Sequence, residues 1–485
     1  MTIDLINPPS TENKITSFLK SPLAWAFILS LLYWIYLAFS TTMIIIYDAD
    51  VYEKLGATIF HEGWRGFFSG NPKNEPLYPA LISTSMVLEH LSSVPHLSIQ
   101  RALQLMILFI TQLLSLAILK KLRIHPFICA ATILYMGISP ALVNASISLF
   151  SEVMTFPFVL GIVLMASQTW HAAANNKRLA LYINSMLFSF LFLGLTLIKG
   201  IYEYIFFALM MLMTVAALSQ FLLRKRTNAV KITAFILIAT ASFSLPMHFY
   251  KSLNKKYNGV YTLTDNRGDF SLYSSASRRT EDLSGKQILA GIAFTGGEGC
   301  CRRFFDEKDC YFWGIHQYDS YGVTMLKKVQ EEYPKAEVSG VMRRLSKEKI
   351  AQKPVQFALL TALEYLKMFF WESTQIGFVN YAPWQTKLYA FAVFKGALRL
   401  IVSLLSLWAF VNAFIILLLH IGKRSPPAFC DERLQIICII LLIASCHIFL
   451  YSIFMTIPRF IFPIAPLYLL LIAFCTDNLF FRKKA

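Results

Sequence analysis

Ten apolar runs, each close to the length of a membrane-spanning helix, recur along this 485-residue chain and limit what it can fold into. A helix needs roughly 20 apolar residues to cross the hydrocarbon core of a bilayer. The first run, from Leu23 to about Tyr47, is too long for a signal-peptide core and indicates an uncleaved span. The others cover residues 100–119, 126–147, 152–170, 179–198, 201–223, 229–250, 398–420, 434–456 and 460–480. They predict an all-α polytopic membrane protein with about ten transmembrane helices.

Two shorter apolar stretches, 77–91 and 355–371, are ambiguous. If they also cross the membrane, the number of spans rises to about 12. The other interpretation is that each is an amphipathic helix lying flat on the membrane surface.

Clusters of Lys and Arg follow every even-numbered span, which is the pattern of cytoplasmic loops. This places both termini in the cytoplasm and the long segments 48–97 and 251–397 on the outer face. The predicted organisation is a membrane module over 1–250, an outer domain over 251–397 and a C-terminal membrane module over 398–485. The clusters are Lys120, Lys121 and Arg123; Lys177 and Arg178; Arg224, Lys225 and Arg226; Lys423 and Arg424; and Arg482, Lys483 and Lys484.

Charge and composition exclude several classes of protein. The net charge of +17 is largely accounted for by these loop clusters, and no basic module interleaved with aromatic residues is visible, so no nucleic-acid partner is expected. Hydrophobic residues make up 56% of the chain and charged residues 15%. A disordered chain, a disulfide-rich mini-protein and a typical soluble enzyme are therefore excluded.

The outer segment 251–397 combines glycine-rich turns, a charged helical stretch at about 323–352 and the apolar stretch 355–371. It also holds Cys300, Cys301 and Cys310, whose spacing does not suit a zinc site. An oxidising compartment favours a disulfide, and adjacent cysteines pair poorly with each other. We therefore expect Cys310 to bond with either Cys300 or Cys301.

Two carboxylates, Asp48 and Asp50, come directly after the first span. One interpretation is that Asp48 caps a helix running from Ala49 to about Ile59, because Asp is a preferred cap residue. The other is that one carboxylate is a general base at the membrane boundary, where partial burial adjusts its pKa. Two nearby Asp residues also suit a divalent metal ion, which is the one cofactor the sequence leaves open.

Further charged residues lie where spans meet the outer face. Glu152 opens the fourth span, and ionisable residues at such depths are functional candidates. Lys199 follows the fifth span and pairs either with Glu203 or with an anionic group of a substrate. The outer cations available to stabilise a departing phosphate are Lys199, Arg267, Arg278, Arg279 and Arg459.

Several short motifs occur in a recognisable order from residue 48 to residue 466. They are Asp48-x-x-x-Tyr52, Asn74-Glu75-Pro76-Leu77-Tyr78-Pro79, Ser151-Glu152 at a helix start, Lys353-Pro354 before an apolar stretch ending at Phe370-Trp371, and Arg459 followed by Pro463 and Pro466. In this order the chain resembles the GT-C superfamily of polytopic, lipid-carrier-dependent glycosyltransferases. Bacterial members include relatives of protein O-mannosyltransferases and lipid A aminoarabinose transferases.

The resemblance implies an inverting transfer of a sugar from a polyprenyl-phosphate donor to an envelope glycolipid, glycan or protein, on the extracytoplasmic face of a bacterial plasma membrane. It carries the base over to Asp48, with Asp50 as the second candidate. Relatives often have adjacent Asp-Glu, whereas Asp50 comes one residue late, and Lys199-Gly200 stands where many have Arg-Pro. Residues expected to contact substrate are Tyr52, Glu75, Tyr78, Glu152, Lys199, Arg267, Arg278, Arg279 and Arg459.

Three other classes remain as alternatives. A transporter or flippase of lipid-linked sugars usually places ionisable residues near the bilayer midplane, whereas here they lie at the outer rim. An O-antigen polymerase or ligase also has a large outer loop, but with an Arg-rich pattern and no Asp motif after the first span. The third alternative is a purely structural membrane scaffold. No glycine-rich phosphate loop is present, so nucleotide-driven work is not expected.

Overall fold

The computed structural model describes residues 21–70, 74–264, 267–374, 376–422, 431–454 and 457–481. Within these ranges nine helices are long and apolar enough to cross a membrane, and a tenth span is present if one bent pair is counted. An all-α, multi-pass architecture is therefore confirmed. The single spans are α1 (Pro22–Ser40), α4 (His96–Lys121), α7 (Glu152–Ala174), α8 (Arg178–Thr196), α9 (Ile201–Leu222), α10 (Arg226–Asn258), α19 (Ala392–Gly422), α20 (Glu432–Ile453) and the last span, Arg459–Phe480.

The predicted span over 126–147 is a bent pair, α5 (Pro126–Ile138) and α6 (Pro140–Ile147), whose axes differ by 46°. Pro140 has no N–H to continue the helix, so the chain breaks at Ser139. The buried carboxylate of Glu372 accepts hydrogen bonds from the Ala141 N–H at 2.9 Å and the Ser139 hydroxyl at 2.7 Å. The Glu372 carboxylate accepts hydrogen bonds from the polar groups that the break leaves without partners inside the helix. Such groups would be costly to bury in an apolar setting without an acceptor.

The first span is shorter than predicted, because α1 ends at Ser40 instead of continuing to Tyr47. A two-residue strand, β1 (Thr42–Met43), follows and pairs antiparallel with β2 (Val379–Asn380). Two helices complete the first long loop. They are α2 (Asp48–Ser69) and α3 (Leu77–Ser92).

The second long loop folds into helices. We call residues 267–367 the loop domain. Its helices are α11 (Arg267–Arg279), α12 (Gly285–Phe294), α13 (Glu298–Cys301), α14 (Glu307–Phe312), α15 (Ile315–Glu332), α16 (Lys335–Gln352) and α17 (Pro354–Lys367), followed before the next span by α18 (Pro383–Ala390). The charged stretch 323–352 is two helices, because Pro334 separates α15 from α16.

The cysteines of the loop domain settle the pairing that the sequence left open. Cys301 and Cys310 form a disulfide, with their Cα atoms 5.8 Å apart, and Cys300 is a free thiol. The disulfide lies in a small apolar core with Ala290 of α12, Trp313 and Leu360 of α17. It therefore ties the short helices α13 and α14 to the longer ones.

The two ambiguous stretches form α3 and α17, of 16 and 14 residues, which are shorter than the spans. Helix α17 ends at Lys367, before the predicted limit of 371, and the following Phe369 and Trp371 are buried in the main core. The last span lies at the centre of the bundle, because 83% of its apolar 18-residue stretch is buried. The last span begins with Arg459, at the end of the bundle where the spans meet the loop domain.

Loops predicted to share a side do lie together. Asp48, Glu152, Lys199 and Arg459 gather at the end of the bundle that carries the loop domain, which we call the domain end. At the opposite end Lys121 contacts Glu432 at 2.5 Å, and the Asp477 carboxylate accepts from the His125 N–H at 2.8 Å. The direction in which the domain end faces stays a prediction from the charge pattern.

Candidate functional site

Six charged side chains meet at the domain end and form what we call the Asp48 cluster: Asp48, Glu75, Glu152, Lys199, Arg267 and Arg459. They come from the starts of α2, α7, α11 and the last span, and from the links before α3 and α9. Each lies at or next to a helix terminus. Three carboxylates and three cations therefore share one location.

Asp48 and Arg459 form the central ion pair of the cluster. The Arg459 Nε atom lies 3.5 Å from the Glu152 carboxylate, and its guanidinium lies 5.3 Å from the centre of the Phe150 ring. The side chains of Asp48 and Arg459 keep 31% and 17% of their exposure, whereas Glu152 keeps 1%. The pair is thus the part of this contact chain that an incoming molecule can reach.

The cap interpretation of Asp48 is wrong in its geometry. Helix α2 begins at Asp48, the N-cap position belongs to Tyr47, and the Asp48 carboxylate binds Arg459. Tyr47 has a φ of 53°, an uncommon value for a bulky residue, in the turn that leads into α2. Burial by itself would raise the pKa of Asp48, but the nearby Arg459, Arg267 and Lys199 outweigh it and hold the pKa below its usual value.

Lys199 pairs with Glu152 at 2.8 Å and is buried. Its proposed pairing with Glu203 is wrong, because Glu203 pairs with Lys251. Burial would lower the pKa of Lys199, but the Glu152 carboxylate prevails and raises it, so this lysine stays charged. Lys199 therefore contributes a fixed positive charge beneath Arg459.

Glu75 and Arg267 connect the first loop to the loop domain. One Glu75 oxygen accepts from the Gly200 N–H at 2.8 Å, and the other lies 3.9 Å from the Arg267 guanidinium. Arg267 also donates to the Asn74 side-chain oxygen at 2.5 Å. The Lys199-Gly200 pair thus contributes a cation and a backbone donor to the cluster.

Tyr52 and Tyr78 lie below the cluster and not on its surface. Their rings meet edge to face at 4.9 Å, and both residues are almost fully buried. The Tyr52 hydroxyl is 3.1 Å from the Ser151 hydroxyl, and the Tyr78 hydroxyl donates to Gln104 at 2.7 Å. These residues support the starts of α2, α3 and α7 and so position the charged groups above them.

Asp50 does not join the cluster. It lies on the exposed face of α2, where it pairs with Lys54 at 2.7 Å. Among the residues that the structure describes, no group of three or more His, Cys, Asp or Glu side chains is placed to hold a metal ion. Since Asp48 is bound by Arg459 and Asp50 points elsewhere, the two do not form the metal site that their spacing suggested.

Arg278 and Arg279 also lie apart, in what we call the Glu364 cluster: Glu364, Lys367, Arg278 and Arg279. Arg278 is 3.3 Å and Lys367 is 2.9 Å from the Glu364 carboxylate, and all of these side chains are buried. Arg279 donates to the carbonyls of Ser452 and Phe454 at the end of α20. Arg279 therefore holds the loop domain onto the bundle, Arg278 pairs within the loop domain, and neither lines the Asp48 cluster.

Asp319 of α15 is a residue that the sequence did not single out. Burial and the carboxylate of Asp48 raise the pKa of Asp319, while His316 and Arg267 oppose the change. It therefore lies within electrostatic reach of the Asp48 cluster from the loop-domain side. Its only sequence signal was membership of a charged helical stretch, where nothing separates it from solvent-facing acids such as Glu331.

No protein-family model matches this sequence, and comparison with curated proteins finds no significant match.

The Asp48 cluster is electrically balanced as it stands. Arg459 contacts two carboxylates, while Lys199 and Arg267 each have one. An anionic ligand that reached Arg459 would compete with Asp48 for its guanidinium and leave that carboxylate free.

Proposed function

We propose that this protein is an integral-membrane glycosyltransferase of the GT-C type, which transfers a sugar from a polyprenyl-phosphate donor to a hydroxyl or amine acceptor. The observation that carries the proposal is the ion pair between Asp48 and Arg459, partly exposed where the spans meet the loop domain. A lipid-linked donor holds its phosphate at this level, because its chain stays in the bilayer. On the charge pattern, this end of the bundle faces away from the cytoplasm.

The charged residues suggest how the transfer proceeds. The donor phosphate binds Arg459 and Lys199, and these cations stabilise the negative charge that grows on the leaving group. The acceptor oxygen or nitrogen forms a bond to the anomeric carbon as the bond to the phosphate oxygen breaks. Asp48 accepts the acceptor proton, and attack opposite the leaving phosphate inverts the anomeric centre.

The lowered pKa of Asp48 fits this order of events. In the free protein Arg459 keeps the carboxylate ionised, so it is in the basic form at neutral pH. When the phosphate takes over the guanidinium, the pKa of Asp48 rises and the carboxylate becomes a stronger base. The donor would thereby activate the base that acts on the acceptor.

A transporter of lipid-linked sugars is the competing class. Transporters generally hold their substrates near the bilayer midplane. The Asp48 cluster lies at helix starts and in the links between spans, which favours chemistry at the membrane surface. This placement supports the transferase.

Asp48→Asn tests the proposal. We expect transfer to fall by about 10²–10⁴-fold, because an amide cannot accept the proton. The control is Asp50→Asn, the same substitution two residues along α2, which should retain activity because Asp50 faces solvent with Lys54.

The assay uses the full-length protein in nanodiscs with polyprenyl-phosphate hexose, pentose and aminopentose donors. Mass analysis of envelope glycolipids, glycans and glycoproteins with and without the gene selects the acceptor. Thermal unfolding of both variants separates lost chemistry from lost folding. Full activity in both variants would remove the catalytic role from this loop, and activity lost only in Asp50→Asn would move it to Asp50.

A further inference from the structure

Helix α17 exposes apolar side chains and buries its charged ones, unlike a helix on the surface of a water-soluble domain. Its exposed side chains include Val355, Leu359 and Leu366, at 71%, 67% and 48% exposure. Its charged residues Glu364 and Lys367 are buried against the protein. A helix on a soluble domain turns its apolar side inward, so the outward side of α17 matches an apolar solvent.

The depth of α17 is fixed by its contacts with the spans. Arg279 donates to the Thr361 hydroxyl of α17 at 2.7 Å and to the carbonyl of Ser452, in the last turn of α20, at the same distance. Directly after α17, the Met368 carbonyl accepts from Tyr468 of the last span at 3.1 Å. Helix α17 therefore lies level with the end of one span and continues into the bundle.

Helix α12 extends this apolar surface. Leu289 and Ile292 are 55% and 52% exposed, while Ala290 between them packs with Leu360 of α17 in the core around the disulfide. The Thr295 carbonyl, just beyond α12, accepts from Arg399 of span α19 at 3.2 Å. The residues after Arg399, Leu400 and Ile401, are themselves more than half exposed and belong to a membrane span.

Polar groups mark the water-facing edge of this surface. Lys353, directly before α17, pairs with Asp282, whose side chain is fully exposed. In the first turn of α12, Lys286 pairs with Asp306. Charged pairs thus lie at the starts of both helices, and apolar side chains follow along them.

We propose that Leu289, Ile292, Val355, Leu359 and Leu366 form a lipid-contact face, immersed in the acyl chains of the bilayer leaflet at the domain end. The occupant is bilayer lipid, because the face continues the lipid-exposed surface of α19 and lies at the depth of the end of α20. The loop domain is then partly embedded in the membrane. This inference does not depend on the proposed function.

Nitroxide labels at single cysteines test the face in the full-length protein. The starting variant keeps Cys301 and Cys310 and has its other cysteines replaced by alanine. Labels are placed at Ile292 and Leu359, with Leu404 on α19 as the lipid control and Glu348 on α16 as the water control. In phosphatidylcholine–phosphatidylglycerol nanodiscs, power saturation compares access to oxygen with access to a water-soluble nickel chelate.

We expect labels at 292 and 359 to match the label at 404, with oxygen access several-fold above chelate access, and the label at 348 to show the reverse. Chelate access at 292 and 359 equal to that at 348 would overturn the proposal. Low access to both relaxing agents with dipolar broadening would instead show contact with a second copy of the chain. Chelate access that falls only after polyprenyl phosphate is added would replace bilayer lipid by the carrier chain.

Discussion

The Asp48 cluster and the Glu364 cluster each gather three cationic side chains, yet they differ in the number of carboxylates and in their surroundings. The first balances its cations with Asp48, Glu75 and Glu152 and leaves its central pair partly exposed. The second places a single carboxylate among Arg278, Arg279 and Lys367, with aromatic rings around it. Cation count alone therefore does not distinguish the two clusters, whereas charge balance and access do.

The largest effect that separates the two clusters is expected at Glu364. Replacing it with Gln leaves three buried cations without their counter-charge, and breaking a buried ion pair from one side typically costs about 3–5 kcal/mol. Thermal unfolding in nanodiscs should show this loss, whereas Asp48→Asn should unfold close to the wild-type temperature. The matched control is Glu348→Gln, an exposed acid beside Arg344 on α16. An unchanged melting temperature for Glu364→Gln would show that the Glu364 cluster does not hold the loop domain in place.

Acid should weaken the Glu364 cluster in a defined range. Burial opposes ionisation of Glu364, but Lys367, Arg278 and Arg279 prevail and lower its pKa from 4.5 to about 2. A lowered folded-state pKa means that the stabilisation is complete above pH 4.5 and disappears as the pH falls towards 2. The loss is about 3 kcal/mol. Unfolding followed between pH 5 and 2 should lose this dependence in Glu364→Gln, and the same slope in the variant would assign it to other acids.

The disulfide should affect one cluster and spare the other. Cys301 and Cys310 enclose a short loop, for which the chain-entropy relation gives about 2–3 kcal/mol. Replacing both by alanine should lower the melting temperature, because the core they share with Trp313 supports Arg278 and Lys367. Cys300→Ala is the control and should be nearly neutral. If the double variant lost sugar transfer together with its melting temperature, the two clusters would be coupled.

The spans could be predicted from the sequence because each depends on its own composition. Apolar runs located the nine span-length helices of the described residues, and the tenth run, at 126–147, is a bent pair that Pro140 and Glu372 divide. The start of the helix at Asp48 was placed within one residue, whereas its end, predicted near Ile59, lies at Ser69, and the partner of Asp48 was not predicted. That partner, Arg459, is separated from it by 411 residues, and no local pattern encodes such a contact.

The same reasoning explains which candidate residues lie together in the structure and which lie apart. Residues at span ends were found together because the alternation of loops forces Glu152, Lys199 and Arg459 to one end of the bundle. Arg278 and Arg279 were grouped with them by charge alone, and only the packing of α11 against α17 and α20 shows that they are buried elsewhere. Asp319 was overlooked because nothing local distinguishes it within a charged helix.

The pairing of Asp48 with Arg459 also has a consequence for how the protein is made. A ribosome adds roughly 5–20 residues per second, so Asp48 is synthesised on the order of 20–80 s before Arg459. For most of that interval the first loop is outside the ribosome, while the Arg459 partner of Asp48 does not yet exist. The candidate site is therefore assembled only when the final span inserts, and a chain stalled before that point carries an incomplete cluster with Asp48 and Glu152 lacking this guanidinium.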